Sequence, residues 1–308
     1  MNSAEPLGSD LGKLVSIRRL GHVLSLAPSV LRAVANDAGR SYRSFQQHSV
    51  KNGRLKVRQI DQPVGRLETV QERIKERILA KFPFPEGING GVKGRSPTTN
   101  ALPHVRQPEV VNVDIKNFFG SVTAKAVARA WKQQFGCGAD VTWLLTRLTT
   151  YKGHLPQGAR TSTALANLAL LPVARELEVY ARERGLHFSV FVDDISVSGT
   201  AAREMIDHIA RKLGEHGFAL SRHKTAVMKR GRRQTVTGIV VNRKLSNGAA
   251  RVHEIRRSAF EAIRSGKPGD LSRLRGMLAQ STAVCPSQGR RLRRLVDKLA
   301  VKEGDRQQ

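Results

Sequence analysis

Apolar and polar positions alternate along this chain in two periods, and the change of period marks out its elements. Residues 11–36 are rich in helix formers, with Pro28 opening a second helix after Ala27. Tyr42 to Phe45 and Leu55 to Ile60 read as strands around the basic turn Lys51-Asn52-Gly53-Arg54. Asn-Gly between two such runs predicts a hairpin, which would also carry Lys56 and Arg58. Over residues 66–81, Leu67, Val70, Ile74 and Ile78 recur at spacings of three and four, the apolar stripe of a helix. Val110 to Val113 form a short strand that ends at Asp114. Helices are expected over 123–135, 140–150, 162–178 and 201–217, the last turning Met205, Ile209 and Leu213 inward. Strand-like segments follow at 225–229 and 235–241, and residues 250–300 read as basic helices. Hairpins mixed with helices make the fold class α+β.

One hairpin concentrates chemistry. An apolar run from His187 to Val192 meets a second, Ile195 to Val197, with Asp193 and Asp194 between them and Gly199 at the end. Two neighbouring carboxylates at a turn repel each other; solvent tolerates this, whereas a buried site needs a cation. Asp114, at the end of another strand, offers a third carboxylate that a shared sheet would bring to the same place. Carboxylate oxygens are hard donors that suit Mg²⁺ or Mn²⁺. In a two-metal site such ions clamp the attacking and leaving oxygens of a phosphoryl displacement.

Charge points to the partner. Lys and Arg total 53 against 25 Asp and Glu, a net charge of +28. Residues 221–308 hold 22 basic and 6 acidic side chains, so more than half of the excess lies in less than a third of the chain. Such an excess predicts a polyanion, because each cation near a phosphate releases condensed counterions. Nucleic acid is favoured over a membrane surface, since no basic amphipathic helix with an aromatic anchor is apparent. No apolar run approaches the length of a membrane span, and the first 30 residues lack a secretion-signal pattern. Cys137 and Cys285 have no metal-ligand spacing and suit a reducing cytoplasm. The loop Gly90-Gly91-Val92-Lys93-Gly94-Arg95-Ser96 lacks the P-loop spacing, although its backbone N–H groups could approach a phosphate.

In order, from about Tyr42 to about Leu299, these features resemble reverse transcriptases. VNVDIKNFF is similar to the first palm motif of those polymerases and LPQGARTSTALANL to their Gln-Gly motif. FVDD is similar to their Tyr-Ala-Asp-Asp or Tyr-Val-Asp-Asp box, and SRHKTAVM to the lysine-bearing motif that follows. Asn100-Ala101-Leu102-Pro103-His104 and Val236-Thr237-Gly238 resemble two signatures of the bacterial retron type. There are departures. Arg160 and Thr163 stand where prolines are usual, Gly120 stands where a proline is common, and Phe191 replaces a tyrosine.

The resemblance implies a right-hand polymerase fold. It would divide into an N-terminal helical region at 1–36, fingers at 37–109, and the first catalytic palm motif at 110–122. Connecting helices would follow at 123–154, the remaining palm (an antiparallel sheet) at 155–245, and a basic helical thumb at 246–308. It implies that Asp114, Asp193, Asp194 and the Ile115 carbonyl hold two Mg²⁺ ions, with Mn²⁺ as a substitute. Lys224 would neutralise or protonate the leaving pyrophosphate. Arg58 and Lys51 would hold the incoming deoxynucleoside triphosphate, and Phe119 would exclude a 2′-hydroxyl. Gln157 would lie beside the nascent pair.

Template and RNA contacts would come from Gly158, Asn100, His104, Val236, Thr237 and Gly238. Arg290, Arg291, Arg293 and Arg294 would grip the duplex. The implied activity is RNA-directed DNA polymerisation in the bacterial cytoplasm on a cognate structured non-coding RNA. Priming from an RNA 2′-hydroxyl would give a branched RNA–DNA product, with a role in antiphage defence, an effector protein as a further partner, and no membrane. Three alternatives stay open: another bacterial reverse transcriptase without a branched product, a non-catalytic RNA-binding scaffold, and an RNA-dependent RNA polymerase, which the bulky Phe119 disfavours.

Overall fold

A computed structural model describes residues 14–51 and 54–305. The expected Asn52-Gly53 turn and residues 11–13 lie outside it, as do the side chains of Lys51 and Arg54. The chain opens with two helices, α1 (Ile17–Leu24) and α2 (Pro28–Asp37). Ser16 caps α1 by accepting a bond from the Arg19 N–H, and Pro28 begins α2 as expected from its fixed φ.

A long hairpin follows, β1 (Tyr42–Lys51) and β2 (Arg54–Pro63), paired antiparallel over its whole length. The register puts Phe45, Ile60, Arg58 and Lys56 on one face and Tyr42, Ser44 and Asp61 on the other. Both strands run further than the apolar pattern indicated. Backbone pairing continues through polar stretches such as Gln46-Gln47 and Asp61-Gln62, where the periodicity gives no signal.

Helix α3 (Arg66–Arg77) buries Leu67, Val70 and Ile74, with Ile78 at its end, as the stripe required. Each such buried side chain contributes about 1.5–3 kcal/mol. A short helix α4 (Pro97–Ala101) leads through a 3₁₀ turn, Leu102–His104, to strand β3 (Glu109–Asp114). Three helices come next: α5 (Phe118–Ser121), α6 (Ala124–Phe135) and α7 (Ala139–Thr149). Helix α8 (Ser162–Glu183) outruns the predicted end by a turn and continues past an internal Pro172. Its buried residues, from Leu165 to Ala181, run on both sides of the proline, so core packing holds a helix that local propensity would break.

Strands β4 (His187–Phe191) and β5 (Asp194–Ser198) form the predicted acidic hairpin, and α9 (Met205–Glu215) packs Met205, Ile209 and Leu213 into the core. Strand β6 (Ala226–Lys229) completes an antiparallel sheet of order β4-β5-β3-β6. The segment expected as one strand over 235–241 is instead a tight hairpin, β7 (Thr235–Val236) and β8 (Ile239–Val240). Thr237 and Gly238, both with positive φ, make its turn. Strand β9 (Ser246–Asn247) pairs with β8.

Helices α10 (Ala249–Ser265), α11 (Pro268–Val284) and α12 (Pro286–Asp305) pack around their own small core of Ile255, Ala259, Leu274, Leu278 and Leu292. The main core lies between the central sheet and helices α3, α6, α7 and α8. Among the described residues no helix is long and apolar enough to cross a membrane. Cys137 and Cys285 are both buried and not joined.

Candidate active site

The acids meet at one end of the central sheet. Strands β3 and β5 are antiparallel neighbours, and their register sets Asp114 directly opposite Asp194. Like charges facing each other across a strand pair are destabilising. Asp193 stands one residue earlier in the hairpin turn, and its carbonyl accepts a bond from the Ile115 N–H at 2.8 Å. Burial pushes the Asp193 carboxyl above its usual range, and the Asp114 charge pushes it the same way. The Lys224 and Lys56 charges act against both. Asp114 itself is buried, and Lys224 Nζ donates to its two carboxylate oxygens at 2.6 and 2.7 Å.

The family resemblance set Lys224 at the leaving group. The structure seats its ammonium on Asp114, because that buried carboxylate is an anion within its reach and has no other cationic partner among the ion pairs of the described residues.

Donor chemistry tests whether this place suits a metal. Asp114 and Asp194 face each other across the strands and Asp193 adjoins them in the turn, so the side chains on offer are carboxylates, and these repel one another wherever a cation does not intervene. Among the described residues no trio of His, Cys, Asp or Glu side chains is drawn together around a single point, and Lys224 balances Asp114. By donor chemistry alone, an all-carboxylate set suits a hard divalent cation.

The turn that carries the acids is strained and braced. Val192, a β-branched residue, sits at φ +60°. The segment Gly87 to Gly90 runs beside β4 like an extra edge: Val190 N–H donates to Gly87 O at 2.7 Å and Asn89 N–H to Val190 O at 2.8 Å. Gly90 lies so close that a Cβ there would be 2.3 Å from the Val192 nitrogen. Asn167 on α8 donates to the Gly90 carbonyl at 2.7 Å, and the Arg95 guanidinium ties the carbonyls of Phe84, Pro85 and Ile88. The glycine-rich loop, whose backbone N–H groups could approach a phosphate, thus brings Gly90 against the protein's own acidic hairpin.

Asn100 and His104 call for correction. Both are fully buried, out of reach of an RNA phosphate or base. His104 Nδ1 lies 2.7 Å from Ser198 Oγ and Nε2 lies 2.8 Å from Ser189 Oγ, so one imidazole pins β5 and β4 together. Burial, with the nearby His187 charge, lowers its pKa to about 3, so the ring stays neutral. Ser189 Oγ also donates to the Asn100 carbonyl at 3.4 Å. Through the His104 ring and the Asn100 carbonyl, the Asn-Ala-x-x-His motif braces the acidic hairpin from behind. Its spacing resembled a recognition signature, and burial is what the sequence did not reveal.

On the other side the Gln-Gly turn meets the β1–β2 hairpin. The Asp61 N–H donates to Gln157 O at 2.8 Å. Gly158 has φ +120°, and a Cβ there would be 2.8 Å from Ile60 Cγ2, so only glycine fits without displacement. Arg58 and Lys56 stand on the same face of β2 as Ile60, turning the hairpin's basic face toward this junction. Arg160, where the resemblance expected proline, bonds Glu68 at 3.3 Å and Glu72 at 3.2 Å and so ties the turn to α3. Phe118 is buried in the core, while Phe119 on α5 is only partly covered.

The remaining predicted residues lie apart from the acids. Val236 is fully buried and is corrected from an RNA contact to a packing residue beside Ala101 and Val110. Thr237 and Gly238 form the turn above it, the Thr237 hydroxyl donating to Pro97 O at 3.2 Å. Arg290, Arg291, Arg293 and Arg294 on α12 are all exposed.

Comparison with known proteins agrees with this geometry. The family model described as reverse transcriptase (RNA-dependent DNA polymerase) matches residues 50–246. The Retron Ec86 reverse transcriptase of Escherichia coli is 28% identical over 314 residues, which cover 99% of this chain and 97% of that protein. The Retron Mx65 reverse transcriptase of Myxococcus xanthus is 34% identical over 77% of this chain and 61% of its own length. The Retron Mx162 reverse transcriptase of the same organism is 30% identical over 91% of this chain and 66% of its own. With its paired acids on a central antiparallel sheet and this match over most of its length, the chain belongs to the reverse transcriptase family of RNA-dependent DNA polymerases and is of the bacterial retron type.

Proposed function

We propose that the chain copies part of a cognate structured non-coding RNA into DNA, in the bacterial cytoplasm, extending a primer supplied by a 2′-hydroxyl of that RNA. The product is then a branched RNA–DNA molecule. The observation that carries the reading is the facing pair Asp114 and Asp194, with Asp193 half-buried beside them in the turn. Two carboxylates set opposite each other on adjacent strands, with a third in the turn beside them, carry an electrostatic cost that a bound cation would relieve. In this reading residues 37–109 act as fingers, 110–122 and 155–245 as palm, 123–154 as the helices connecting them, and 246–308 as thumb, with 1–36 as an N-terminal helical region.

Asp114, Asp193, Asp194 and the Ile115 carbonyl would hold two Mg²⁺ ions, or Mn²⁺ in their place. When bound, such ions supply the positive charge that a phosphoryl displacement develops a need for. The protein's own residues do the rest. Arg58, with Lys51 and Lys56 on the same hairpin, binds the triphosphate. Gln157 and Gly158 set the backbone beside the nascent pair. The Phe119 ring fills the space a 2′-hydroxyl would need. Lys224, once released from Asp114, neutralises the leaving pyrophosphate. The exposed arginines of α12 hold duplex phosphates without reading sequence. Thr237 and Gly238 present a turn to the cognate RNA. A defence role with a partner effector protein rests on resemblance to retron systems alone.

The test is to purify the full chain with its nucleic acid and sequence both strands. A short DNA joined to RNA through a 2′ linkage is expected. Unbranched or random DNA would favour another kind of bacterial reverse transcriptase. A variant carrying Asp193→Ala and Asp194→Ala should contain the RNA without DNA; if the biological effect persisted in that variant, polymerisation would not be its basis.

A further inference from the structure

Between α6 and α7, at the base of the β1–β2 hairpin, lies an open groove of about 710 Å³. None of its lining residues belongs to the carboxylate site. Its floor is made by small side chains spaced four apart on α6, Ala124 and Ala128, followed by Lys132. One wall is a single face of α7: Ala139, Thr142, Trp143, Thr146, Arg147. Lys152 closes one end, its ammonium 5.0 Å above the Tyr151 ring.

Two features set this groove apart from an ordinary surface trough. First, Trp143 is 54% exposed, whereas the other tryptophan, Trp131, is fully buried. A large aromatic left half in water on a rigid helix is a ready stacking plane. Second, every charged lining residue is a cation: Lys132, Arg147 and Lys152. The Cys137 thiol, pushed up to about 12 by burial, adds no anion. The groove offers few hydrogen-bonding groups of its own. Thr146 Oγ1 donates to Thr142 O at 2.7 Å and Thr150 Oγ1 to Thr146 O at 2.8 Å, so the threonines engage their own helix.

We propose that this groove is a second nucleic-acid site, which seats an unpaired nucleotide of single-stranded RNA away from the polymerising centre. A base stacks on Trp143 while its flanking phosphates meet Lys132, Arg147 and Lys152. Stacking with phosphate contacts and few hydrogen-bonding groups tolerates any base. The site therefore anchors the RNA rather than reading its sequence. The charge complementarity is with a polyanion, and the flat exposed indole favours a base over an acidic peptide. The identity of the ligand as RNA rests on the RNA-templated reading above; the groove itself does not.

The tryptophans supply the assay. Because Trp131 is buried, acrylamide quenching of the full-length protein reports Trp143. A ten-nucleotide single-stranded RNA without self-complementarity is the probe. Saturating RNA should shield Trp143 from acrylamide, and Trp143→Ala should weaken RNA binding about tenfold, measured by anisotropy of a labelled strand. Trp143→Phe should recover part of that loss. Since Trp143 is exposed, Trp143→Ala should fold normally, and its extension of a short pre-annealed primer–template should stay within twofold of the parent. Lys132→Glu with Arg147→Glu should weaken binding further and flatten its salt dependence.

The proposal is overturned if Trp143 stays open to acrylamide while RNA is bound, or if poly-glutamate shields it and RNA does not, which would mark a protein-docking groove. The Asp193→Ala, Asp194→Ala variant separates the two readings. There, shielding of Trp143 should persist although extension is lost.

Discussion

His104 offers a sharp test of how the acidic hairpin is held. Its ring is fully buried between Ser189 and Ser198, and its pKa falls to about 3 through burial and the nearby His187 charge. In the unfolded chain an imidazole titrates near 6.5. Below that pH the unfolded state takes up a proton that the folded state refuses, so acid favours unfolding. The stability that neutral His104 provides is therefore complete above about pH 6.5 and is lost as pH falls toward 3, at about 1.4 kcal/mol per unit. Between pH 7.5 and 4.5 the loss from this one group comes to about 2.7 kcal/mol.

The perturbation is His104→Gln, which keeps a donor and an acceptor but has no proton to gain. At pH 7.5 the variant should be less stable by about 1–3 kcal/mol, since an amide cannot meet both serine hydroxyls in imidazole geometry. At pH 4.5 the gap should shrink by about 2.7 kcal/mol, and it reverses sign if the initial cost is small. Other acids and histidines titrate equally in both proteins and cancel in the difference. Urea denaturation followed by tryptophan fluorescence at four pH values from 4.5 to 7.5 measures it. Parallel stability curves would refute the reasoning, because they would mean that His104 takes up its proton in the folded protein and stands where solvent or RNA phosphate can reach it.

Three further outcomes follow from the site. Phe119→Ala should raise incorporation of ribonucleotides relative to deoxyribonucleotides in primer extension, and unchanged selectivity would remove the steric gate. Gly158→Ala places a Cβ 2.8 Å from Ile60 Cγ2 at φ +120°. It should lower the thermal midpoint, by strain of about 1–3 kcal/mol, together with the extension rate. Replacing Arg290, Arg291, Arg293 and Arg294 with alanine should weaken duplex binding for all sequences. The slope of log affinity against log salt should fall by about one for each phosphate that an arginine no longer neutralises.

Sequence by itself determined much of this protein. The amphipathic stripes of α3 and α9 and the hairpin bearing Asp193 and Asp194 follow from periods that backbone geometry imposes. The order of the palm motifs carried the family. What it could not carry were distances between segments far apart in the chain. That Asp114 faces Asp194, and that Lys224 sits on Asp114, depends on strand register and is decided only when β3 lies between β5 and β6.

Burial was equally hidden. Motif resemblance, which says nothing of depth, places Asn100, His104 and Val236 among the RNA contacts, and all three are fully buried. The sequence of the glycine-rich loop leaves open a close approach to a phosphate, and its Gly90 lies instead against Val192, since a glycine serves any close backbone approach. The continuation of α8 past Pro172 and the tight turn at Thr237 and Gly238 likewise reflect packing that overrides local preference. Local periodicity is written in neighbouring residues. Register, depth and charge pairing arise from contacts between elements, and only the folded chain supplies those.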